Sequence, residues 1–296
     1  VRVREFGYHC ILADDKGAFV DYVQTFWKDK AVVSSVARDA HDLAMADGGQ
    51  WLKELFWQGI GLGVNHPWIN WINFDLNAAF GGSQTELELK LQVLEAGLAL
   101  ARQVNDRDQT TKSRRDLSIA CDNVGGVCEA LGGRANLERA LGWYQKGLEC
   151  SEVLAREQGT AERRRDLSVS YNHVGDVYQV LGGRANLEQA LERYQKGLDL
   201  REALAREQGT AQSRRDLAVS YSRVGEVHEA LGDRANLEEA LKRYQQALDN
   251  FEALAGELGT AESRRDLAVN YSQMGRVYET LGGQTNLEQA LEWYQK

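Results

Sequence analysis

The chain has little proline: one residue in 296, Pro67. After it no position is barred from a helix interior by a missing N–H or a fixed ring, so long uninterrupted helices are open to the C-terminal two thirds. Cysteine is also scarce. The four, Cys10, Cys121, Cys128 and Cys150, form no Cys-x-x-Cys pair, which argues against a zinc ribbon or a dithiol redox centre and leaves them as reduced, inert thiols. There is no basic block. With 35 basic and 44 acidic residues and a net charge of −9, the composition argues against a nucleic-acid groove and against binding to anionic membranes. No apolar run approaches the ~18 residues of a membrane-spanning helix, and no basic stretch leads into an apolar one as in a secretory leader, so a cytoplasmic protein is expected.

Motifs for chemistry are missing too. Gly59-Ile60-Gly61-Leu62-Gly63 lacks the Gly-Lys-Ser/Thr ending of a phosphate loop and follows helical rather than strand periodicity, so a flexible connection is expected there. His9 and Cys10 are adjacent and would point to opposite faces of a strand, and neither His41 nor His66 has a ligand partner at a metal spacing. No catalytic residue, cofactor site or metal site is expected.

What the chain does have is a period. Arg-Arg-Asp-Leu recurs at Arg114–Leu117, Arg164–Leu167, Arg214–Leu217 and Arg264–Leu267, each copy 50 residues after the last, the mark of a repeat architecture. In the third copy Tyr221, Val224, Val227, His228 and Leu231 recur at helical spacing. A second helical set comprises Leu237, Ala240, Leu241, Tyr244, Leu248, Phe251 and Leu254. Gly232 would stop the first helix. Asn236 with Glu239, and Asn136, Asn186 and Asn286 at the same place, would start the second, Gly259 would end it, and Thr260 could cap the next.

Tyr221, Val224-Gly225, His228, Gly232, Ala240, Tyr244 and Ala247 fall in the order of the tetratricopeptide repeat (TPR) signature, as do Tyr171, Val174-Gly175, Tyr178, Ala190, Tyr194 and Gly197, and Tyr271, Met274-Gly275, Tyr278, Ala290 and Tyr294. The region from Thr85 to Lys296 therefore resembles a TPR array. Small residues at Gly225, Ala240 and Ala247 would let two helices approach while the aromatics fill the gaps. The usual repeat has about 34 residues. Here Arg234-Ala235-Asn236 are expected to lengthen the turn, and without a closing proline each helix is expected to run for about 22 residues. Long-helix arrays of this kind look like those attached to bacterial multidomain signalling proteins, beside NTPase or protease-like modules.

The expected fold is all-α: a right-handed helical-hairpin solenoid over 85–296, preceded by a small, mainly helical segment over 1–84 with one or two strands. Thr85 and Glu88 read as a capping box opening a half repeat over 85–109, with repeats from 110, 160, 210 and 260, the last truncated. Phe6 to Leu12 alternate as a strand before the turn at Asp14-Asp15-Lys16-Gly17. Helices follow around Phe19–Phe26, Val33–Ala44 and Trp51–Gln58. Trp27, Trp51, Trp57, Trp68 and Trp71 lie here, and packing a small core is their expected role, ahead of a membrane-surface or hydrophobic-partner role. The apolar helices of this segment could supply the first helix that the half repeat lacks. The Val at position 1 and the end inside a helix read as an excerpt of a longer protein. Leu287, Ala290, Leu291 and Tyr294, with Met274 and Tyr278, would then be left exposed for self-association through the C-terminal edge.

The packing positions hardly vary among copies. Asp122, Asn172, Ser222 and Ser272 differ, and so do Gly126, Asp176, Glu226 and Arg276. In the family resembled, first helices line the concave groove, which implies a partner-binding stripe made of Asp122, Asn172, Asp176, Arg215, Ser222, Glu226, Glu229, Ser272 and Arg276. Drift at a solvated face would look the same. The Arg-Arg-Asp rows read as ion-pair ladders between repeats, or alternatively as a row of cations, Arg115, Arg165, Arg215 and Arg265, for an acidic peptide. Of the Lys and Asn pattern of the carboxylate-binding TPR version only Asn172 has a counterpart, so that activity does not carry over. The expected function is a non-catalytic scaffold binding a protein or peptide, or alternatively the sensor or docking arm of a larger signalling enzyme.

Overall fold

A computed structural model describes Cys10 and residues 14–26, 28–58 and 69–296, and every regular element in them is helical. The chain divides into two compact units, 1–157 and 158–296.

In the first unit, α1 (Lys16–Phe26), α2 (Lys30–Asp47) and α3 (Gln50–Gln58) form a small bundle. Asp29 caps α2 by accepting from the amides of Ala31 and Val32, and Gly48 ends it at φ 67°, in the left-handed region that a residue with a Cβ rarely adopts. Two of the tryptophans pack this core. Phe19 meets Trp51 and Trp71 edge to face, with ring centroids 5.2 and 5.7 Å away. Their indole N–H groups are satisfied, Trp51 donating to Asp14 Oδ1 at 2.7 Å and Trp71 to the Val33 carbonyl at 3.1 Å. The strand expected over Phe6–Leu12 lies outside the described residues except for Cys10, which is helical. Trp27, Trp68, the Trp57 side chain, His9, His66 and the glycine run at Gly59–Gly63 also lie outside them.

A π-helical segment, Trp71–Leu76, continues as Asn77–Ala79 and leads into α4 (Gln84–Asp108). Then come α5 (Thr111–Leu131) and α6 (Arg134–Gln158). The π-helical segment packs where a first helix would stand before α4. A Cβ built on Gly97 would lie 2.8 Å from Ile72 Cγ2. Asn73 donates to the Asp116 carbonyl at 3.1 Å, Asn123 donates to the Asn73 carbonyl at 2.8 Å, and Asn77 donates to Asn123 Oδ1 at 3.0 Å. The π-helical segment is thus keyed to α5 by buried and part-buried amide hydrogen bonds and to α4 by apolar contact.

The second unit holds α7 (Ala161–Leu181), α8 (Arg184–Gln208), α9 (Ala211–Leu231), α10 (Arg234–Leu258), α11 (Ala261–Leu281) and α12 (Gln284–Tyr294). First helices have 21 residues and full second helices 25, the latter about 37 Å long at ~1.5 Å per residue. Thr160, Thr210 and Thr260 cap the first helices, each side chain accepting from the backbone three residues on.

Three details differ from the sequence expectation. The second helices start three residues before the point that Asn236 suggested: Arg234, Ala235 and Asn236 form the first turn of α10, and Asp233 is its cap. Asn136, Asn186 and Asn286 donate back to the carbonyls of Gly132, Gly182 and Gly282 at 2.8–2.9 Å, so the amide closes the preceding turn from inside the helix. At α4 the capping box is Ser83 with Glu86 rather than Thr85 with Glu88. Met274 is only 3% exposed, because it packs with Leu237, Ala240 and Tyr244, whereas Leu287, Leu291 and Tyr294 are exposed.

The two helices of a repeat are locked by one device repeated four times. A tyrosine of the second helix lies flat on a glycine of the first, and its hydroxyl reaches the side chain four residues further along that first helix. A Cβ at Gly125, Gly175, Gly225 or Gly275 would fall 2.6–2.8 Å from a ring carbon of Tyr144, Tyr194, Tyr244 or Tyr294. Their hydroxyls donate to Glu129, Gln179, Glu229 and Glu279 at 2.8–2.9 Å. A glycine mid-helix costs about 1 kcal/mol against alanine, and the close ring contact offsets it.

Candidate functional site

In residues 158–296 the first helices α7, α9 and α11 present their polar sides to a cleft of about 900 Å³. The copies at Arg164–Asp166 and Arg214–Asp216 anchor it through two kinds of ion pair. The first arginine holds the end of its own second helix: Arg164 grips Glu207 with two bonds of 2.6 Å, and Arg214 donates to Glu257 at 2.7 Å. In residues 1–157 Arg114 donates to Glu157 at 2.7 Å in the same way. These bonds hold the carboxyls of Glu207 and Glu257 below their ordinary range.

The second arginine reaches the aspartate of the next copy. Arg165 donates to Asp216 at 3.2 Å, and Arg215 donates to Asp266 at 2.6 and 3.3 Å and pairs with Glu262 at 3.0 Å. Asp216 also takes a bond from Arg201, a buried arginine of α8. The motif is therefore a ladder between repeats, and its cations are committed at Arg165 and Arg215.

The variable stripe is largely committed as well, through partners about one repeat away. Arg223 pairs with Asp176, whose other partner is the Tyr194 hydroxyl at 2.5 Å. Gln273 donates to Glu226 at 2.8 Å, and Arg276 donates to Glu229 at 2.8 Å. Burial pushes the Glu226 carboxyl up, against the pull of Arg223 and Arg276. Asp122 and Asn172 sit against their own second helices, close to where Gly147 and Gly197 would carry a Cβ, at 2.6 and 3.0 Å. Ser272 donates to the Ala268 carbonyl at 3.1 Å. Ser222 is buried in the cleft wall, and its hydroxyl has no hydrogen-bond partner among the described residues.

Of the nine stripe residues, the cleft thus brings together Asp176, Arg215, Ser222 and Glu226. Its uncommitted groups are others. Val180 and Val269 are 61% and 51% exposed, Val219 is half-buried beside them, and Arg265 is exposed with no ion pair among the described residues. A signal for them is present in the sequence: Ile119, Val169, Val219 and Val269 put a β-branched side chain at one position of every first helix, on a face otherwise polar. Among the described residues no group of three His, Cys, Asp or Glu is placed to hold a metal ion, and no helix is long and apolar enough to cross a membrane.

The fold is that of a TPR-like helical repeat array. BtubC (BKLC) from P. vanneervenii superposes with a TM-score of 0.55 at 16% identity over 90% of this chain and 87% of that one. The Signal Transduction ATPase with Numerous Domains (STAND) protein PH0952 from Pyrococcus horikoshii, which carries a tetratricopeptide repeat sensor, gives 0.53 at 17% over 99% of this chain. The match spans 38% of the length of that ATPase. The nuclear import adaptor Nro1 of S. pombe gives 0.52 at 12% over 99% and 89%. No family model matches the chain, and no curated protein matches it in sequence.

Proposed function

We propose that residues 158–296 form a non-catalytic docking module that binds an extended protein segment in the cleft between α7, α9 and α11. The observation that carries this is the contrast within the cleft. Nearly every charged side chain is spent on its neighbours, yet two exposed valines, Val180 and Val269, and Arg265 stay open beside the half-buried Val219. A solvated face gains nothing from exposed β-branched side chains, whereas a bound segment buries them at ~25 cal/mol per Å². Of the stripe inferred from the sequence, Glu226 is the member best placed to touch such a segment, and Arg265 would meet an acidic residue of it. Asp176, Arg215, Glu229 and Arg276 hold the scaffold.

Peptide display against the full chain tests this. Selected peptides should carry small apolar residues with an acidic one, and Val269→Asp or Arg265→Glu should weaken them at least about tenfold while leaving the helical signal unchanged. Glu226 and Arg276 are poor choices for such variants, because each bonds to a neighbouring repeat. Peptides indifferent to both variants but lost on changing the outer faces of α8 and α10 would refute the cleft. A second reading, the sensor arm of a larger signalling protein, is supported by the likeness to PH0952, which spans nearly all of this chain and a minor part of that ATPase.

A further inference from the structure

Residues 1–157 contain a second concavity, separate from the cleft above. It encloses about 670 Å³ between α2 and the π-helical segment, within the range of small-molecule sites. Its charge runs against that of the chain. Lys30, Arg38 and Arg115 line it against a single carboxylate, Asp75, in a protein with 35 basic and 44 acidic residues.

Lys30 and Arg38 are exposed and make no hydrogen bond or ion pair among the described residues. Asp75 faces them from the π-helical segment, and Lys30 acts on it electrostatically without an ion pair. Asp75 is half-buried, accepts from Ser34 Oγ at 3.1 Å, and burial pushes its carboxyl up. The pocket therefore offers two exposed cations that interact with Asp75 and Asp39 only at longer range, a favourable arrangement for an anion.

The wall opposite is aromatic. Phe74 is 50% exposed although its neighbours Ile72, Asn73 and Leu76 are buried. This outward ring stands on a fixed base: Asn73 and Asn77 on either side are bonded into α5, and Trp71 is bonded to the Val33 carbonyl. The segment is π-helical, a geometry rare in proteins and frequently found at functional sites. An exposed ring beside cations suits a ligand with both a planar apolar part and a strong anion. A flat basic face for a membrane, or a long track of cations for a nucleic-acid strand, would be arranged differently.

We propose that this pocket binds a phosphorylated small molecule with a planar ring, of the nucleoside-phosphate class, with the phosphates on Lys30 and Arg38 and the ring against Phe74. Isothermal titration of the full chain with ADP, AMP, adenosine and pyrophosphate tests it. ADP should bind, and adenosine and pyrophosphate should each bind at least about tenfold more weakly, because each lacks one half of the recognition. Arg38→Ala and Lys30→Ala should each weaken ADP by about tenfold, and Arg38→Lys should restore part of the loss. Phe74→Ala should abolish the preference for ADP over pyrophosphate while leaving pyrophosphate binding unchanged. All three side chains have exposed surface, so circular dichroism of the variants should match the parent. The proposal is overturned if none of the four ligands binds at millimolar concentration, if ADP binds indifferently to all three variants, or if vesicles containing phosphatidylserine bind the chain through Lys30 and Arg38 while ADP does not.

Discussion

Replacing Gly225 by alanine isolates the contact that joins the two helices of a repeat. The new methyl carbon would sit 2.7 Å from Tyr244 Cε1 and 2.9 Å from Cδ1. Ordinary carbon contacts begin near ~3.5 Å, so the ring or a helix must retreat by about 1 Å. The ring has little room to do so, since Tyr244 is fully buried and its hydroxyl is tied to Glu229 at 2.8 Å. Overpacking of this kind costs about 1–3 kcal/mol, and exchanging glycine for alanine in a helix returns roughly 1 kcal/mol, leaving a net loss on the order of 1 kcal/mol. Gly256 in α10 supplies the control, because a Cβ there meets nothing within 4 Å. Gly256→Ala should stabilise by up to about 1 kcal/mol, so one chemical change carries opposite signs at two sites of the same repeat. Repeat arrays unfold locally rather than in one step, which makes native-state hydrogen exchange of the α9 and α10 amides the proper assay. If Gly225→Ala slows exchange as Gly256→Ala does, the ring contact is not what holds the pair together. Gly225→Leu should be worse than Gly225→Ala.

Other outcomes follow from the polar contacts. A double-mutant cycle on Arg215→Ala and Asp266→Ala should return a coupling of about 0.5–1 kcal/mol that shrinks with salt, whereas Arg265→Ala should change stability by less than about 0.5 kcal/mol. Burial raises the Glu226 carboxyl, so the folded state holds that proton more tightly than the unfolded chain; its stabilising contribution is complete below about pH 4.3 and is lost as the pH rises through the folded value. Glu226→Gln should therefore be at least as stable as the parent at pH 7 and should lose less stability between pH 4 and 7; a clear loss at pH 7 would contradict this. Burial pushes the Cys121 thiol up to about 12, so a disulfide reagent should label it only after denaturation, and rapid labelling of the native chain would refute the packing assigned to it.

The 50-residue period and the paired helices were legible in the sequence because packing residues must recur wherever the same contact recurs: Gly225 faces Tyr244 for the reason that Gly175 faces Tyr194. The core role of Trp51 and Trp71 was legible from composition and helical spacing. The helix starts were misplaced because an asparagine three residues into a helix can bond backward to the preceding turn, as Asn186 does to Gly182, and looks in sequence like a cap. The stripe was harder still. Aligning the copies compares Asp176 with Glu226, yet each is paired with a residue 47 positions on, Arg223 and Gln273, so part of what looked like variation for a ligand is paired variation between neighbours. The π-helical segment left no periodic trace, since Trp71–Leu76 is too short for a pattern to emerge.

The docking cleft is tested most directly by hydrogen exchange of the full chain with and without a peptide selected on it. Protection is expected in α9 around Arg215–Glu226 and in α11 around Ala261–Gln273, with α8 and α10 unchanged on their outer faces and Val269→Asp abolishing the effect. Protection confined to those outer faces, or no protection within the cleft under saturating peptide, would contradict it.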